Sequence, residues 1–264
     1  MLTLPLMASR LPTRLRHRLA VIAGFLVLHR WPWPVWRIRG GATLTIAGER
    51  IRFVDVARPE HVWWAHQVRR GLWEPAVVRE LTRALRPGDV FFDLGAYVGP
   101  FTLLASRLVG PSGRVVAFEP DPRTRAVLER NIAANGAANV TVVPHAVGDR
   151  ATSVRFSASG DSVGHVDAAG DVEVQQVTLD GFCAEHDVRP TVMKVDIEGG
   201  EAAALDGSRV ARDTRTLVVE VHEPQLRGQD VDASAFLGRL GAHALLESPD
   251  DGNYAVLVTP RGGA

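Results

Sequence analysis

The sequence predicts an α/β protein, a mostly parallel sheet with helices on both faces. Three observations carry this. Apolar runs of strand length alternate with helical patterns from residue 90 onward. The first run, Val90-Phe91-Phe92, is continuously apolar, as in a strand buried on both faces. It leads straight into a glycine-containing turn, Asp93-Leu94-Gly95-Ala96-Tyr97-Val98-Gly99, and then an apolar helix.

Taken in order, Thr43 to Val54 reads as a hairpin turning at Ala47-Gly48-Glu49. His61 to Leu85 is helical in pattern, interrupted near Gly71 and Pro75, and Leu85-Arg86-Pro87-Gly88-Asp89 stops it. After the first strand the helix covers Phe101 to Leu108. Arg114 to Phe118 is the second strand, Asp121 to Asn135 a helix ended by Gly136, and Val140 to Val143 the third strand. Ser153–Phe156 and Val172–Val177 read as strands flanking a Gly/Ser/Asp-rich loop, 157–171. Strand Thr191–Val195, helix Glu201–Leu205, strand Leu217–Val221 and helix Ala233–Leu240 follow. Ala244–Leu246 and Tyr254–Val258 form a terminal antiparallel hairpin around Asp250 to Asn253.

Length and composition fit one globular domain with appendages: 264 residues, 46% hydrophobic and 23% charged. Basic and acidic residues balance at 30 each, so no nucleic-acid partner is expected. The single cysteine, Cys183, excludes an internal disulfide or a cysteine-cluster metal site, and a reducing, cytoplasmic setting is expected. The balance hides an asymmetry. Residues 1–40 carry seven arginines, no acid and three of the six tryptophans, leaving 23 basic against 30 acidic residues in the rest.

The longest apolar run in that segment, Leu19 to Leu28, has ten residues, against about 20 needed to span a bilayer. The sequence following it has no small-residue cleavage site. Residues 1–40 therefore read as a basic amphipathic helix and a Trp/Pro arm. Two readings stay open: docking at the anionic inner face of a membrane or on an acidic partner, or packing over the main domain. Three units are expected: this appendage, a hairpin and helical lead-in over 41–85, and the main domain over 86–264.

Such sheets bind ligands beyond the carboxyl ends of their strands. At the first end, Gly95 permits a sharp turn and Gly99 a close helix start. Glu119 ends the second strand, where an acid can accept both hydroxyls of a ribose. The spacing is not that of a dinucleotide fingerprint, because Tyr97 stands where a pyrophosphate needs a glycine. Asp93 would repel phosphate but suits a cationic amine. Acid, turn and ribose acceptor together fit S-adenosylmethionine better than a nicotinamide cofactor.

Gly71-Leu72-Trp73-Glu74-Pro75, VFFDLGAYVGPFT, GRVVAFEPDP, ERNIAANG, NVTVVPHAVGD, VTLD and VMKVDIEGGE occur in that order. Over roughly residues 70–225 the chain resembles the FkbM-type family of S-adenosylmethionine-dependent methyltransferases. The resemblance implies the class I methyltransferase fold, Rossmann-like, with a seven-stranded sheet, and typically O-methylation of a sugar, glycolipid or polyketide hydroxyl. It implies that Glu74, Asp93, Gly95, Gly99, Thr102 and Glu119 line the cofactor together with Ala96 and Tyr97 of the turn, and that Ala146 lies near the adenine. The family usually has Asn at the position of Tyr97, so the chain departs from the pattern there.

Lys194 and Asp196 share one strand face, and Glu220 and His222 repeat the arrangement on the next strand. Ionisable pairs on strands that should be apolar point to the ligand crevice. Lys194 is also the only lysine among 30 basic residues. Methyl transfer to an alcohol needs the oxygen held in line with the methyl group and a group to take its proton. Asp196 is the first candidate for this, His222 the second, with Lys194 and Glu198 beside them. The competing readings are a structural ion pair for Lys194–Asp196 and a satisfied rim histidine for His222. Glu201 reads as an ordinary acid at a helix start. Asp196, Glu198, Glu220 and His222 could collect a divalent cation, but no spacing demands one and no metal is expected. The partner is then a small-molecule or glycan hydroxyl. The alternatives are a catalytically silent module that binds the same cofactor and, further off, a nicotinamide-dependent oxidoreductase.

Overall fold

A computed structural model describes residues 41–54, 59–158, 164–241, 244–247 and 253–258. The basic segment 1–40, with its expected helix and arm, lies outside the described residues, as does the tip of the terminal hairpin.

The main sheet has seven strands. In sheet order they are β12 (Ala244–Glu247), β13 (Asn253–Val258), β11 (Thr216–His222), β10 (Val192–Val195), β3 (Val90–Leu94), β4 (Arg114–Phe118) and β5 (Val140–Val143). Only β13 runs against the others, pairing antiparallel with both β11 and β12. The chain starts the sheet at β3, builds outward through β4 and β5, then crosses back to lay β10 on the other side of β3. That reversal puts the switch point, and so the expected crevice, at the carboxyl ends of β3 and β10. The strands and the parallel architecture agree with the sequence reading.

Alternation along the strands sorts the core into two layers. Phe92, Leu94, Val116, Phe118, Met193, Val195 and Val219 face one layer. Phe91, Val115, Val192 and Val218 face the other, where helices α2 (Pro75–Ala84) and α3 (Pro100–Val109) pack. Asp93, Lys194 and Glu220 have the strand parity of this second group. Each replaces an apolar residue toward the carboxyl end of its strand, where Asp93 and Lys194 meet Thr102 and Phe101 in the first turn of α3.

The described residues of 41–85 pack onto α3. The hairpin β1 (Ala42–Ile46) and β2 (Glu49–Phe53) and helix α1 (Pro59–Arg69) share a hydrophobic cluster with Leu103 and Leu104. An aromatic ladder runs from Phe53 to Trp64 (4.8 Å), Trp73 (5.7 Å) and Phe101 (4.6 Å). It brings Glu74, at the start of α2, to the rim of the crevice. Asn131 of α4 (Pro122–Asn135) ties the same layers together, accepting from Val54 N at 2.8 Å and donating to Val98 O at 2.8 Å.

A second sheet was not legible in the sequence. β6 (Ala146–Val147), β9 (Val172–Val177), β7 (Thr152–Ser157) and β8 (His165–Val166) form four strands in that order. The expected loop over 157–171 therefore contains a strand, and within it residues 159–163 lie outside the described residues. Helices α5 (Leu179–His186), α7 (Arg209–Asp213) and α8 (Glu223–Gly228) were also not anticipated, being short and lacking a periodic apolar face. Helices α6 (Glu201–Leu205) and α9 (Ala233–Leu240) fall where expected. No helix among the described residues is long and apolar enough to cross a membrane.

Candidate functional site

A cleft of about 930 Å³ opens at the switch point. Glu74, Gly95, Ala96, Tyr97, Glu119, Ala146, Lys194, Asp196 and Glu198 line it, together with Glu220. Asp93, Gly99, Thr102 and His222 sit behind the wall and reach the cleft through their neighbours.

At one end the turn after β3 folds against β4. Gly95 N and Ala96 N both donate to Phe118 O, at 3.1 and 3.0 Å. Gly95 has φ +78, and a Cβ there would stand 1.8 Å from Asp196 O. The glycine thus allows the turn to lie directly on the end of β10. Tyr97 takes a left-handed φ of 52, a conformation that asparagine adopts more readily than tyrosine. This geometry accounts for the family's usual Asn and leaves the backbone turn intact.

Glu119 is buried, and its two oxygens accept one backbone N–H each, from Tyr97 at 2.8 Å and Asp121 at 2.9 Å. Each oxygen keeps a lone pair. Burial pushes its pKa up to about 8, against the pull of those two N–H groups. A rigid buried carboxylate on the cleft wall, with spare acceptor capacity, fits a ribose diol. Ala146 is buried in the same wall.

At the other end stands a network of charges. Lys194 Nζ contacts Asp196 Oδ2 at 2.9 Å, Gly95 O at 3.1 Å and Asp93 Oδ1 at 3.8 Å. Asp93 lies opposite Lys194 in the parallel register of β3 and β10, and its other oxygen accepts from Thr102 Oγ1 at 2.5 Å. Burial disfavours the Lys194 ammonium, but Asp196, Asp93 and Glu74 outweigh it and hold the pKa above the ordinary lysine value. Burial also disfavours the Asp196 carboxylate, and Lys194 and His222 hold its pKa below the ordinary value. Asp93 is fully buried, and burial raises its pKa despite Lys194 and Thr102. The chain's single ammonium thus links the turn after β3 to the end of β10.

His222 is 1% exposed. Its Nδ1 lies 2.9 Å from Glu201 Oε1. Its Nε2 faces Glu198 at 3.5 Å, Asp196 at 3.8 Å and Glu220 at 4.0 Å. Burial opposes the imidazolium, but the Glu201 hydrogen bond and the surrounding carboxylates carry its pKa up to about 10. Burial raises Glu198 to about 8. The charge of Asp196, then burial, raises Glu220 to about 7. Glu198 holds a left-handed φ of 54 just beyond β10.

Two residues gain weight from the structure. Glu201 accepts from two amides of the loop before α6, Gly199 at 3.0 Å and Ile197 at 3.4 Å, and the same oxygen also holds His222. Nothing in the sequence signals that contact, because the pair is 21 residues apart on different elements. Glu220, noted in the sequence only as one of a strand pair, stands on the cleft wall beside Asp196. His145 and His165 also line the cleft.

Residues 93–245 match the family model of the methyltransferase FkbM domain. The hexuronic acid methyltransferase AglP of Haloferax volcanii is 28% identical over 192 residues, covering 70% of this chain and 76% of that protein. The 31-O-demethyl-FK506 methyltransferase FkbM of Streptomyces tacrolimicus is 30% identical over 177 residues, covering 53% of this chain and 67% of that protein. Among solved structures, Aeropyrum pernix fibrillarin bound to S-adenosyl-L-methionine aligns at 13% identity and a TM-score of 0.45, covering 83% of each chain.

Proposed function

The chain belongs to the FkbM methyltransferase family, with S-adenosylmethionine as methyl donor, and from that premise we propose O-methylation of a hydroxyl on a sugar, glycolipid or polyketide-type acceptor. The observation that carries the reading is one continuous cleft wall. It presents the diol acceptor Glu119 at one end and the Lys194–Asp196–Glu220 rim at the other. Two relatives, named for a hexuronic acid and for 31-O-demethyl-FK506, support the acceptor class. Family membership leaves the nicotinamide oxidoreductase without support.

Bound donor supplies an electrophilic methyl carbon on a sulfonium sulfur, so the protein need supply no covalent step. Glu119, the turn from Gly95 to Tyr97 and Ala146 hold the nucleoside. The acidic rim favours the positive charge at the donor's other end. Asp196, fixed by Lys194, accepts a hydrogen bond from the acceptor hydroxyl and aims its oxygen. A hydroxyl becomes strongly acidic as its oxygen gains the methyl group, so a carboxylate of low pKa suffices to take the proton. In the ion-free protein the carboxylates around His222 favour its imidazolium, which makes it a charge partner and a poor proton acceptor. In this reading the base is Asp196.

The test is incubation of the full chain with labelled donor and a panel of uronic acids, hexoses and macrolide alcohols. Label appearing on an acceptor oxygen is expected. Donor binding with no transfer to any acceptor would favour the silent module.

Two results are expected at the nucleoside end. Above about pH 8, where Glu119 is ionised, Glu119→Ala weakens binding of S-adenosylhomocysteine by about 1–3 kcal/mol, because two hydroxyls lose a charged acceptor. In addition, wild-type affinity rises as pH increases through about 8, the range in which Glu119 ionises. The sign follows from the chemistry: the protonated acid has lost acceptor capacity, and the carboxylate accepts both hydroxyls. Glu119→Gln mimics the neutral form and removes the rise. Calorimetric titrations on both sides of that pH check both statements.

A further inference from the structure

We propose that Asp196, Glu198 and His222 bind one divalent cation of the Mn²⁺/Mg²⁺ kind, through which the acceptor's oxygens are held.

The geometry is that of a three-donor site. One carboxylate oxygen from Asp196, one from Glu198 and a ring nitrogen of His222 lie within 4.8 Å of one another. The distances from Nε2, 3.5 and 3.8 Å, need only a small contraction to meet one ion. Two carboxylates and one imidazole on one side of an ion leave its remaining positions open to the cleft. The carboxylates come from just beyond β10 and the imidazole from the end of β11, so the site stands on adjacent parallel strands.

The second observation is His222 itself. Among the described residues its Nε2 makes no hydrogen bond and has only the longer ion-pair contacts to Glu198, Asp196 and Glu220, at 3.5, 3.8 and 4.0 Å, although the side chain is 1% exposed. Its Nδ1 is committed to Glu201, a fully buried acid whose Oε1 is fixed by the amides of Gly199 and Ile197. A ligating histidine characteristically gives its other ring N–H to a carboxylate, which sets the tautomer and aims the free nitrogen. Asp196 is held in the same way. Lys194 takes Oδ2, and Oδ1 is the oxygen turned toward His222.

Charge points in the same direction. Among the described residues, four carboxyl groups, those of Asp196, Glu198, Glu201 and Glu220, gather around two basic side chains, Lys194 and His222. A divalent ion offsets the surplus and releases the Nε2 proton to solvent. The acceptor role of the ion rests on the methyltransferase reading. Ion binding does not, and the experiment separates the two.

Full-length protein is stripped with EDTA, desalted and titrated with Mn²⁺ while the free-ion EPR signal is followed, with neither donor nor acceptor present. One saturable ion per chain is expected, displaced by excess Mg²⁺. Glu198→Gln and His222→Gln each weaken binding at least tenfold, roughly the loss usual even for outer partners of a metal site. Glu201→Gln weakens it less. Electron spin-echo of the wild type shows ¹⁴N coupling from one imidazole, a readout that needs no variant to fold. Absence of bound Mn²⁺ at millimolar concentration, binding indifferent to both first substitutions, or an echo without ¹⁴N coupling would each overturn the site. If the site binds Mn²⁺ but the stripped enzyme methylates its acceptor at the full rate, the ion's role toward the acceptor is overturned.

Discussion

Asp196→Asn is expected to lower single-turnover methyl transfer by about 10²–10⁴-fold, the range associated with a positioned proton acceptor. Affinity for S-adenosylhomocysteine should remain close to wild type. The substitution keeps the shape of the side chain and removes its charge. Lys194 still has Gly95 O at 3.1 Å and Asp93 at 3.8 Å, so the strand ends stay joined. Glu119 and the turn from Gly95 to Tyr97 are untouched, which is why binding and turnover should separate. Rapid-quench measurements at saturating donor and acceptor give the rate, and calorimetry the affinity. An unchanged rate would move the proton acceptor to Glu220, the other carboxylate on that wall.

Gly95→Ala is expected to act on the whole crevice. Its Cβ would stand 1.8 Å from Asp196 O and 2.9 Å from Asp196 C, both backbone atoms. No rotamer relieves such a contact. The residue also holds φ +78, a conformation that itself disfavours alanine. Either the turn lifts from β10 or the end of β10 moves. A loss of about 3 kcal/mol or more in urea unfolding is expected, at the upper end for single substitutions. Whichever side moves, Lys194 loses its bond to Gly95 O, and Asp196 is displaced relative to the nucleoside end. Turnover and donor affinity should therefore fall together, unlike the split expected for Asp196→Asn. Wild-type stability in this variant would show that the close approach is not needed.

The order of strands and helices was legible because it rests on local patterns. Val90–Phe92 is continuously apolar, and the Asn135-Gly136 stop ends α4 where the sequence places it. Lys194 and Asp196 were legible as a pair because two residues on one strand must share a face. What escaped depends on contacts between distant segments. Glu201 looks like any acid at a helix start until β11 brings His222 to it. Asp93 reads as a turn residue facing the ligand. The parallel register instead places it under Lys194, where it supports the rim from behind. The second sheet was hidden because β6 and β8 have two residues each, too few to show a period.

The central claim is that the nucleoside end of the donor is read by Glu119 and its other end meets the rim at Lys194 and Asp196. A crystal structure of the protein with S-adenosylhomocysteine tests it most directly. Both ribose hydroxyls are expected about 2.5–3.0 Å from the Glu119 oxygens, with the sulfur lying toward Asp196. A nucleoside seated elsewhere, with Glu119 bonded only to the amides of Tyr97 and Asp121, would contradict it.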